Sequence, residues 1–497
     1  MKKYDVAIIG SGLGGLVCGY ILSKFGYKVI VLEKHYQIGG CLQTFRRNGV
    51  TYDTGMHYIG SMDEGQVLHR YFSYLNLLDT VRLRKLDESG FDTIATNGEI
   101  FKIPMGYDHF IESLSQRFPK EKQSLENYVH SIVDVAKESP LYNINEINDS
   151  VFLSPHTVKW SVNEFLNSIT KDEVLQNVLT GNLPLYAGKK DKTPMYIHAL
   201  IHNFYIQSAY RIVGGSDSIA KSLANSINKF GGEILTNSEV EKINCNDERA
   251  ISVELKNGET IEAKSFISNM HPQLTLEKLN TPLIRKAYRE RVSNLENTIS
   301  NFTVYIKFKK NTVPYLNSNF YYYASKNAWE SENYTEKNWP LNFLYMHQAP
   351  ENGGNFSEGA LLIGYMKYSE VAKWDGTEVE KRGNDYLEFK EKKAHRLLET
   401  LEKSFPGILA NIESYSSSSP LTYINYTGTK EGSMYGIIRD KNSPVQTLVS
   451  QRTRIPNLFM TGQNINSHGI LGVIIGSIIT CSEFLGINTI IKDINNH

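Results

Sequence analysis

Gly10, Gly12 and Gly15 stand as G-x-G-x-x-G in the stretch "DVAIIGSGLGGLVCGYILSKFGYKVIVLEK", and Glu33 sits near its end. These residue types at this spacing can hold a pyrophosphate and a ribose. The first glycine lets the chain turn sharply, the second admits a pyrophosphate to the backbone, and the third lets a helix pack closely on a strand. An acid about 20 residues further on can bind ribose hydroxyls. Gly39-Gly40 follow six residues after it, and then comes "VTYDTGMHYIG" with Gly55, Met56, His57 and Tyr58. Paired glycines let a loop pass against the ribityl and pyrophosphate of a longer cofactor. Gly55 and Met56 let backbone approach an isoalloxazine ring. A nicotinamide protein would continue instead with another helix–strand repeat.

The elements that must position these residues are legible around them. Val6 to Ile9 form an apolar run short enough for a strand buried on both faces. The helix after the glycines starts with unpaired N–H groups aimed at the phosphates. Gly26 caps it, and Lys28 to Leu32 is the next strand. Near the other end of the chain, "PNLFMTGQNINSHGILGVIIGSIITCSEFLG" reads as a strand over Leu458–Met460, a Thr-Gly turn at Gly462 and a long helix. The turn is expected at the pyrophosphate, and the helix after Gly472 is expected to point its N-terminus at the flavin. A strand over Ser238–Ile243 can lend the backbone of Val240 to the adenine edge. A dinucleotide site built from both chain ends is expected for FAD and is unusual for NAD.

Four ordered stretches carry a family resemblance: "EKHYQIGGCLQTFRRNGVTYDTGMHYIG", "YIHALIHNFYIQSAYRIVGGSDSIA", "SPLTYINYTGTKEGSMYG" and "LFMTGQNINSHGILG". Together they resemble the all-trans-retinol saturase branch of the FAD-dependent carotenoid desaturase, isomerase and saturase (phytoene desaturase-like) family, over nearly the whole chain. The resemblance implies an α/β fold. It has a Rossmann-type FAD-binding domain of the glutathione-reductase-like, flavin amine oxidase type, interleaved with an α+β substrate domain. The expected division is 1–75, 208–275 and 450–497 for FAD, and 76–207 and 276–449 for substrate, with a helical lid. Gly10, Gly12, Gly15, Glu33, Gly39, Gly40, Gly462 and Gly472 are carried over as FAD-contacting positions, followed by Leu13, Lys34, Met56, Val240, Gln463 and Val473; Gly14 and Gly55 are expected to bind the cofactor beside them. Two departures matter. Asn464 stands where an acid is common, and Cys41 follows Gly-Gly where many flavin amine oxidases have Arg, which weakens an amine oxidase reading.

Bulk properties set limits. A chain of 497 residues is long for one hydrophobic core, so two or more lobes are expected. Lys+Arg and Asp+Glu balance at 53 each, which argues against nucleic acid as the main partner. The basic run Arg285, Lys286, Arg289 and Arg291 reads as a solvated helix face before a lipid-facing one. Cys18, Cys41, Cys245 and Cys481 form no C-x-x-C pair, which suits a reducing compartment and gives no metal-site spacing. Met1-Lys2-Lys3 before "VAIIG" imitates a signal peptide, but Asp5 interrupts it and no small-residue cleavage site follows. The apolar run near the C-terminus holds glycines, Ser477 and Glu483, and reads as a buried helix before a membrane span. The expected location is cytoplasmic, with peripheral membrane contact to reach an insoluble substrate.

Residues 76–205 read as helix-rich, through "GYDHFIESLSQRF", "SLENYVHSIVDVAKES" and "WSVNEFLNSIT". Residues 300–365 alternate like strands, and Tyr321, Tyr322 and Tyr323 are candidates to line a substrate cavity, with alternate members favoured. "SYSSSSP" reads as a short loop. Family substrates are long polyenes. Saturating an isolated C=C needs hydride from flavin N5 at one carbon and a proton at its neighbour. Tyr58, His57 and His198 are the leading candidates for catalysis, with Tyr196 and His202 behind them. Water is a further proton source. No second nucleotide fingerprint is present, so a separate electron donor is expected. Desaturation and cis–trans isomerisation remain open on the same scaffold. Rab escort and GDP-dissociation-inhibitor proteins resemble this fold but lack flavin and bind lipidated partners. The Gly-Gly segment and the Thr-Gly turn argue against that role.

Overall fold

Val6, Ala7, Ile8 and Ile9 are all buried in the strand Lys3–Ile9, as an apolar run flanked on both faces requires. This computed structural model describes residues 3–147 and 159–497; Met1 and Lys2 of the signal-like start lie outside them. The strand runs parallel to Val29–Leu32 on one side and Thr260–Ser268 on the other. Glu233–Leu235 extends the sheet beyond Val29–Leu32, and Ala250–Leu255 and Val240–Cys245 extend it on the far side. The last three residues of Thr260–Ser268 pair in parallel with Leu458–Met460, so the far end of the sequence enters the same sheet.

Between strand and helix the chain reverses at Gly10, whose φ of +94° is open to glycine and costly to other residues. The helix Leu13–Lys24 then lies flat on the strand. A Cβ on Gly15 would overlap the carbonyl oxygen of Gly10, so glycine there permits the close packing. The helix Gly469–Leu485 packs against Leu13–Lys24, and Ser477 Oγ donates to Gly14 O at 3.2 Å. That helix begins three residues before the position expected from Gly472. Among the described residues no single helix is long and apolar enough to cross a membrane. Gly469–Leu485 approaches that length only together with Ile487–Asn495, from which it is bent by 119°.

A second sheet has the order Ile412–Ser418, Ser300–Phe308, Gly359–Met366, Asn342–His347, Asn319–Tyr323, Asp92–Thr96, Glu99–Ile103. Three of its strands correct the sequence reading. Asp92–Ile103 is a hairpin inside the stretch read as helix-rich, closed at Asn97-Gly98 with both residues at positive φ. Ser414 to Ser418 is strand, not loop: it pairs backbone to backbone with Ser300–Phe308 at the edge of the sheet. An edge strand is held by its ladder, so it does not need the apolar side chains that make a strand legible. The helices Tyr107–Arg117, Lys122–Lys137, Val162–Ile169, Glu173–Leu179 and Met195–Gln207 pack over this sheet, with a break at Phe118-Pro119. A small sheet of Ile59–Gly60, Ala209–Ile212 and Leu83–Lys85 ties the glycine-rich half to the helical layer. In the basic run, Arg289 and Arg291 cap backbone carbonyls of Leu279 and Leu448 at 2.9 and 3.3 Å, so that part of it is committed within the fold.

Candidate active site

The C-terminal ends of the parallel strands open onto a cavity of about 820 Å³, where ligands of open α/β sheets bind. Gly10, Gly12, Leu13, Gly14, Glu33, Lys34, Gly39 and Gly40 line it from the first part of the chain. Gly462, Gln463 and Val473 line it from the last part, and Val240 from the middle. Gly40 and Gly462 therefore share one cavity. Gly15 and Gly472 do not line it. The first packs helix on strand, and a Cβ on the second would meet Ser467 at 2.8 Å, which makes Gly472 a packing position in the first turn of its helix.

The donor and acceptor set fits a flavin dinucleotide. The glycine bowl has no room for side chains: a Cβ on Gly12 would lie 2.8 Å from the Asn269 amide, one on Gly14 3.0 Å from Gly462 Cα, and one on Gly40 3.1 Å from Gly12 Cα. Backbone N–H groups at the start of Leu13–Lys24 thus lie at a concave surface built mainly of glycine backbone, the usual seat of a pyrophosphate. Glu33 is 6 % exposed. Its Oε2 accepts from Ser11 N (3.0 Å) and Ser11 Oγ (2.6 Å), and its Oε1 accepts from His35 N (2.9 Å). Those bonds fix the carboxylate at the cavity wall and leave lone pairs for ribose hydroxyls. At the other end Gly55, Met56, His57 and Tyr58 line the cavity, and His57 Nδ1 is buried there with no partner in the protein. Cys41, where a cation is common in amine oxidases, is a half-buried thiol whose titration is pushed up to about 11 by desolvation.

Beyond this loop the cavity turns apolar. Pro184, Leu185, Leu344, Ile363 and Met434 line it, with the rings of Tyr205 and Tyr435. Of the charged lining residues, Glu33, Lys34, Glu239 and Lys278 belong to segments that follow strands of the first sheet, and Asp375, Lys430 and Glu431 to segments that follow strands of the second. None of Tyr321, Tyr322 and Tyr323 reaches the cavity. Tyr321 and Tyr323 point into the core under the helical layer, and Tyr321 OH lies 2.6 Å from Tyr58 OH, one layer behind the wall.

The candidate proton donors separate by environment. His198 and His202, four residues apart on one helix face, are buried away from the cavity with ring centroids 4.0 Å apart. His198 Nε2 is 2.8 Å from Tyr128 OH, its Nδ1 is 3.0 Å from Tyr186 OH, and His202 Nδ1 is 2.7 Å from Tyr128 OH. Burial drives the His202 imidazole down to about 3 and that of His198 well below its ordinary value, so both are neutral core groups. Tyr196 does not line the cavity either. His57 does, but burial, reinforced by the Arg211 guanidinium, lowers it to about 4. At neutral pH it is an unprotonated ring that accepts or donates a hydrogen bond. Tyr58, 4 % exposed, lines the cavity and packs against Tyr205, with ring centroids 4.6 Å apart and the planes tilted by 40°.

Several site residues escaped the sequence reading. Asn269 follows the buried strand Thr260–Ser268 and fills the bowl between Gly12, Gly14 and Gly462. With its amide oxygen turned inward it accepts from Gly12 N and Gly15 N at 3.3 Å each. Its signal was its place at the end of a strand parallel to the first. Asn464, the departure from the acid, accepts from Ile437 N at 3.0 Å and so anchors the neighbouring segment. Asp92 is fully buried behind Tyr58. Its signal was a carboxylate opening the alternating run "DTIAT", on the same side as the inward Ile94 and Thr96.

Comparison with known proteins agrees with this geometry. The chain is similar to an all-trans-retinol 13,14-reductase of Rattus norvegicus, 29 % identical over 97 % of this chain and 86 % of that one. It is similar to prolycopene isomerase 1, chloroplastic, of an Oncidium hybrid cultivar, 23 % identical over 93 % of this chain and 80 % of that one. Among solved structures it shares its fold with an oxidoreductase from Methanosarcina mazei, with a TM-score of 0.65, 18 % identity, and coverage of 96 % of this chain and 99 % of that one. The profile of the flavin containing amine oxidoreductases matches residues 13–480, from the first turn of the glycine-led helix to the helix that closes the cavity. With both chain ends meeting at one glycine-lined bowl and that match running through almost all of the sequence, the chain belongs to the flavin containing amine oxidoreductase family, and its cofactor is FAD.

Proposed function

We propose that this FAD-dependent oxidoreductase saturates a carbon–carbon double bond of a long apolar polyene, retinol-like or carotenoid-like. The observation that carries the reading is the continuity of the cavity, from the glycine bowl through Gly55–Tyr58 to a wall of Leu185, Leu344, Ile363 and Met434. The full-length similarity to an all-trans-retinol 13,14-reductase supports it. In this reading Glu33 and Val240 hold the adenosine end, Gly10 to Gly14 with Gly462 and Gln463 the pyrophosphate, and Met56 and Val473 the ring end. FAD, when bound, supplies the electron pair for the reduction. The protein contributes alignment and dryness. The aliphatic wall and the rings of Tyr205 and Tyr435 exclude water and hold the polyene in one orientation. Of the polar groups on the wall, Tyr58 carries a hydroxyl hydrogen at neutral pH, while His57 is neutral.

The test is anoxic incubation of the reduced holoenzyme with all-trans-retinol. The expected outcome is loss of polyene absorbance and a product heavier by two hydrogens. The similarity to a prolycopene isomerase favours a second reading, cis–trans isomerisation, which gives a product of unchanged mass. A product lighter by two hydrogens means desaturation. An unchanged spectrum across several polyenes contradicts all three.

Peripheral contact with lipid belongs to the same reading, because an insoluble polyene has to be taken from a membrane. The protein is expected to co-sediment with retinol-loaded liposomes in low salt. If it stays entirely in the supernatant, that element is wrong.

A further inference from the structure

Tyr58 is not an isolated phenol on the cavity wall. Its OH lies 3.2 Å from Asp92 Oδ2 and 2.6 Å from Tyr321 OH. Asp92 is fully buried, and its other oxygen accepts from Asn319 Nδ2 at 2.8 Å. The pairing explains the placement: Asp92–Thr96 runs parallel to Asn319–Tyr323 with Asp92 opposite Asn319. The nearest cation, Arg211, does not touch the carboxyl. Its guanidinium donates to Asn319 Oδ1 at 2.8 Å, to His347 O at 2.8 Å and to Ser318 O at 3.2 Å. Among the described residues Asp92 takes part in no salt bridge. A buried carboxyl with a hydroxyl, an amide and no direct cation is free to exist as the acid.

We infer that Asp92 is a proton store behind Tyr58, so that the proton required at the second carbon of the reduced C=C leaves the Tyr58 O–H and is replaced from the Asp92 carboxyl. The inference rests on the polyene-reductase reading. Hydrogen-bond direction supplies the logic. With Asp92 ionised, the Tyr58 hydrogen points back at the carboxylate and Tyr321 donates to Tyr58. With Asp92 protonated, the acid donates to Tyr58 and frees the phenol hydrogen for the cavity side. The balance closes. Bound FAD, once reduced, would supply the electron pair and one hydrogen at the first carbon; the Tyr58 O–H bond breaks as a C–H bond forms at the second carbon, and the phenolate takes the Asp92 proton. The remaining carboxylate regains a proton from solvent between turnovers. Tyr58 touches substrate in this scheme. Asp92 acts through it and is a positioning residue.

The groups facing Asp92 are Tyr58, Tyr205, Tyr321, Tyr323 and Arg211. The four phenols are all pushed upward by burial and stay protonated. The titration near neutrality therefore belongs to the carboxyl, which burial raises to about 7 against the pull of Asn319, Tyr58 and Arg211.

The experiment has two arms. In flavin-free protein, infrared spectroscopy is expected to show the carbonyl band of a buried carboxylic acid that disappears as pH rises through neutrality and is missing in Asp92→Asn. In reduced holoenzyme given all-trans-retinol under anoxia, Tyr58→Phe and Asp92→Asn are expected to slow saturation on the order of a hundredfold with retinol binding retained. The wild-type rate should fall with rising pH across the same range, Asp92→Asn should be flat there, and Asp92→Glu should restore the slope. If Asp92→Asn does not fold, Tyr58→Phe and the wild-type pH profile decide the matter. Absence of the band, or variants with wild-type rate and profile, overturns the proton store alone. A wild-type enzyme that adds hydrogen to no polyene overturns the reductase reading and the proposal together.

Discussion

A Gly12→Val protein is expected to fold and to leave the purification column colourless. Gly12 caps the helix Leu13–Lys24 with φ near −60°, a conformation open to any residue, so valine brings no backbone strain. Its Cβ would instead enter the bowl, 2.8 Å from the flexible Asn269 amide. The amide can give way, but a pyrophosphate cannot occupy the same space. Flavin bound per protein should drop at least about tenfold, corresponding to about 1.4 kcal/mol or more of lost binding, with far-ultraviolet circular dichroism unchanged. Full flavin occupancy in a folded Gly12→Val protein would place the cofactor elsewhere.

The largest effect on stability is expected from Arg211→Met. Arg211 is 3 % exposed and joins the strand Ala209–Ile212 to the second sheet through the carbonyls of His347 and Ser318 and the side chain of Asn319. Methionine fills comparable volume but leaves three buried acceptors unpaired. At about 1–3 kcal/mol for each unsatisfied group, the loss exceeds what is regained by no longer burying a charge. The urea midpoint should fall by an amount corresponding to about 3 kcal/mol or more. A variant as stable as wild type would mean that the guanidinium only fills space. Asp92 gives this change a second readout. Without the nearby cation its carboxyl should titrate at still higher pH, and any fall of stability with rising pH should move the same way. The sign follows from linkage. The folded state holds the Asp92 proton more tightly than the unfolded chain, so this contribution is complete below the ordinary carboxyl range and is lost as pH rises through about 7.

How much of the site the sequence disclosed depended on how each residue is positioned. Gly10, Gly12, Glu33 and Gly40 were legible because local backbone demands write themselves into glycine spacing. Gly462 was legible because a strand, a turn and a helix surround it in order. Gly472, expected at the cofactor, does not line the cavity and instead packs against Ser467 in the first turn of a helix that begins at Gly469. His198 and His202 share a helix face, which spacing reveals, but whether that face meets a cavity or Tyr128 is decided by a helix some seventy residues earlier in the chain. Asp92 was hidden for a related reason. Its hairpin carried an Asn-Gly turn between alternating residues, a strong strand signal, yet the helices that follow dominated the reading of that stretch. Leu344 and Ile363 of the apolar wall come from strands that crossing connections bring beneath those helices, and nothing local encodes that meeting.

The account stands on one claim, that cofactor and polyene occupy a single cavity and react there. The most direct measurement is a single turnover under anoxia, mixing flavin-reduced protein with all-trans-retinol and following both chromophores together. The account predicts that the visible band of oxidised flavin returns as the polyene band disappears, one polyene lost for each flavin reoxidised. A flavin that stays reduced until oxygen is admitted, with the polyene spectrum intact, would contradict it.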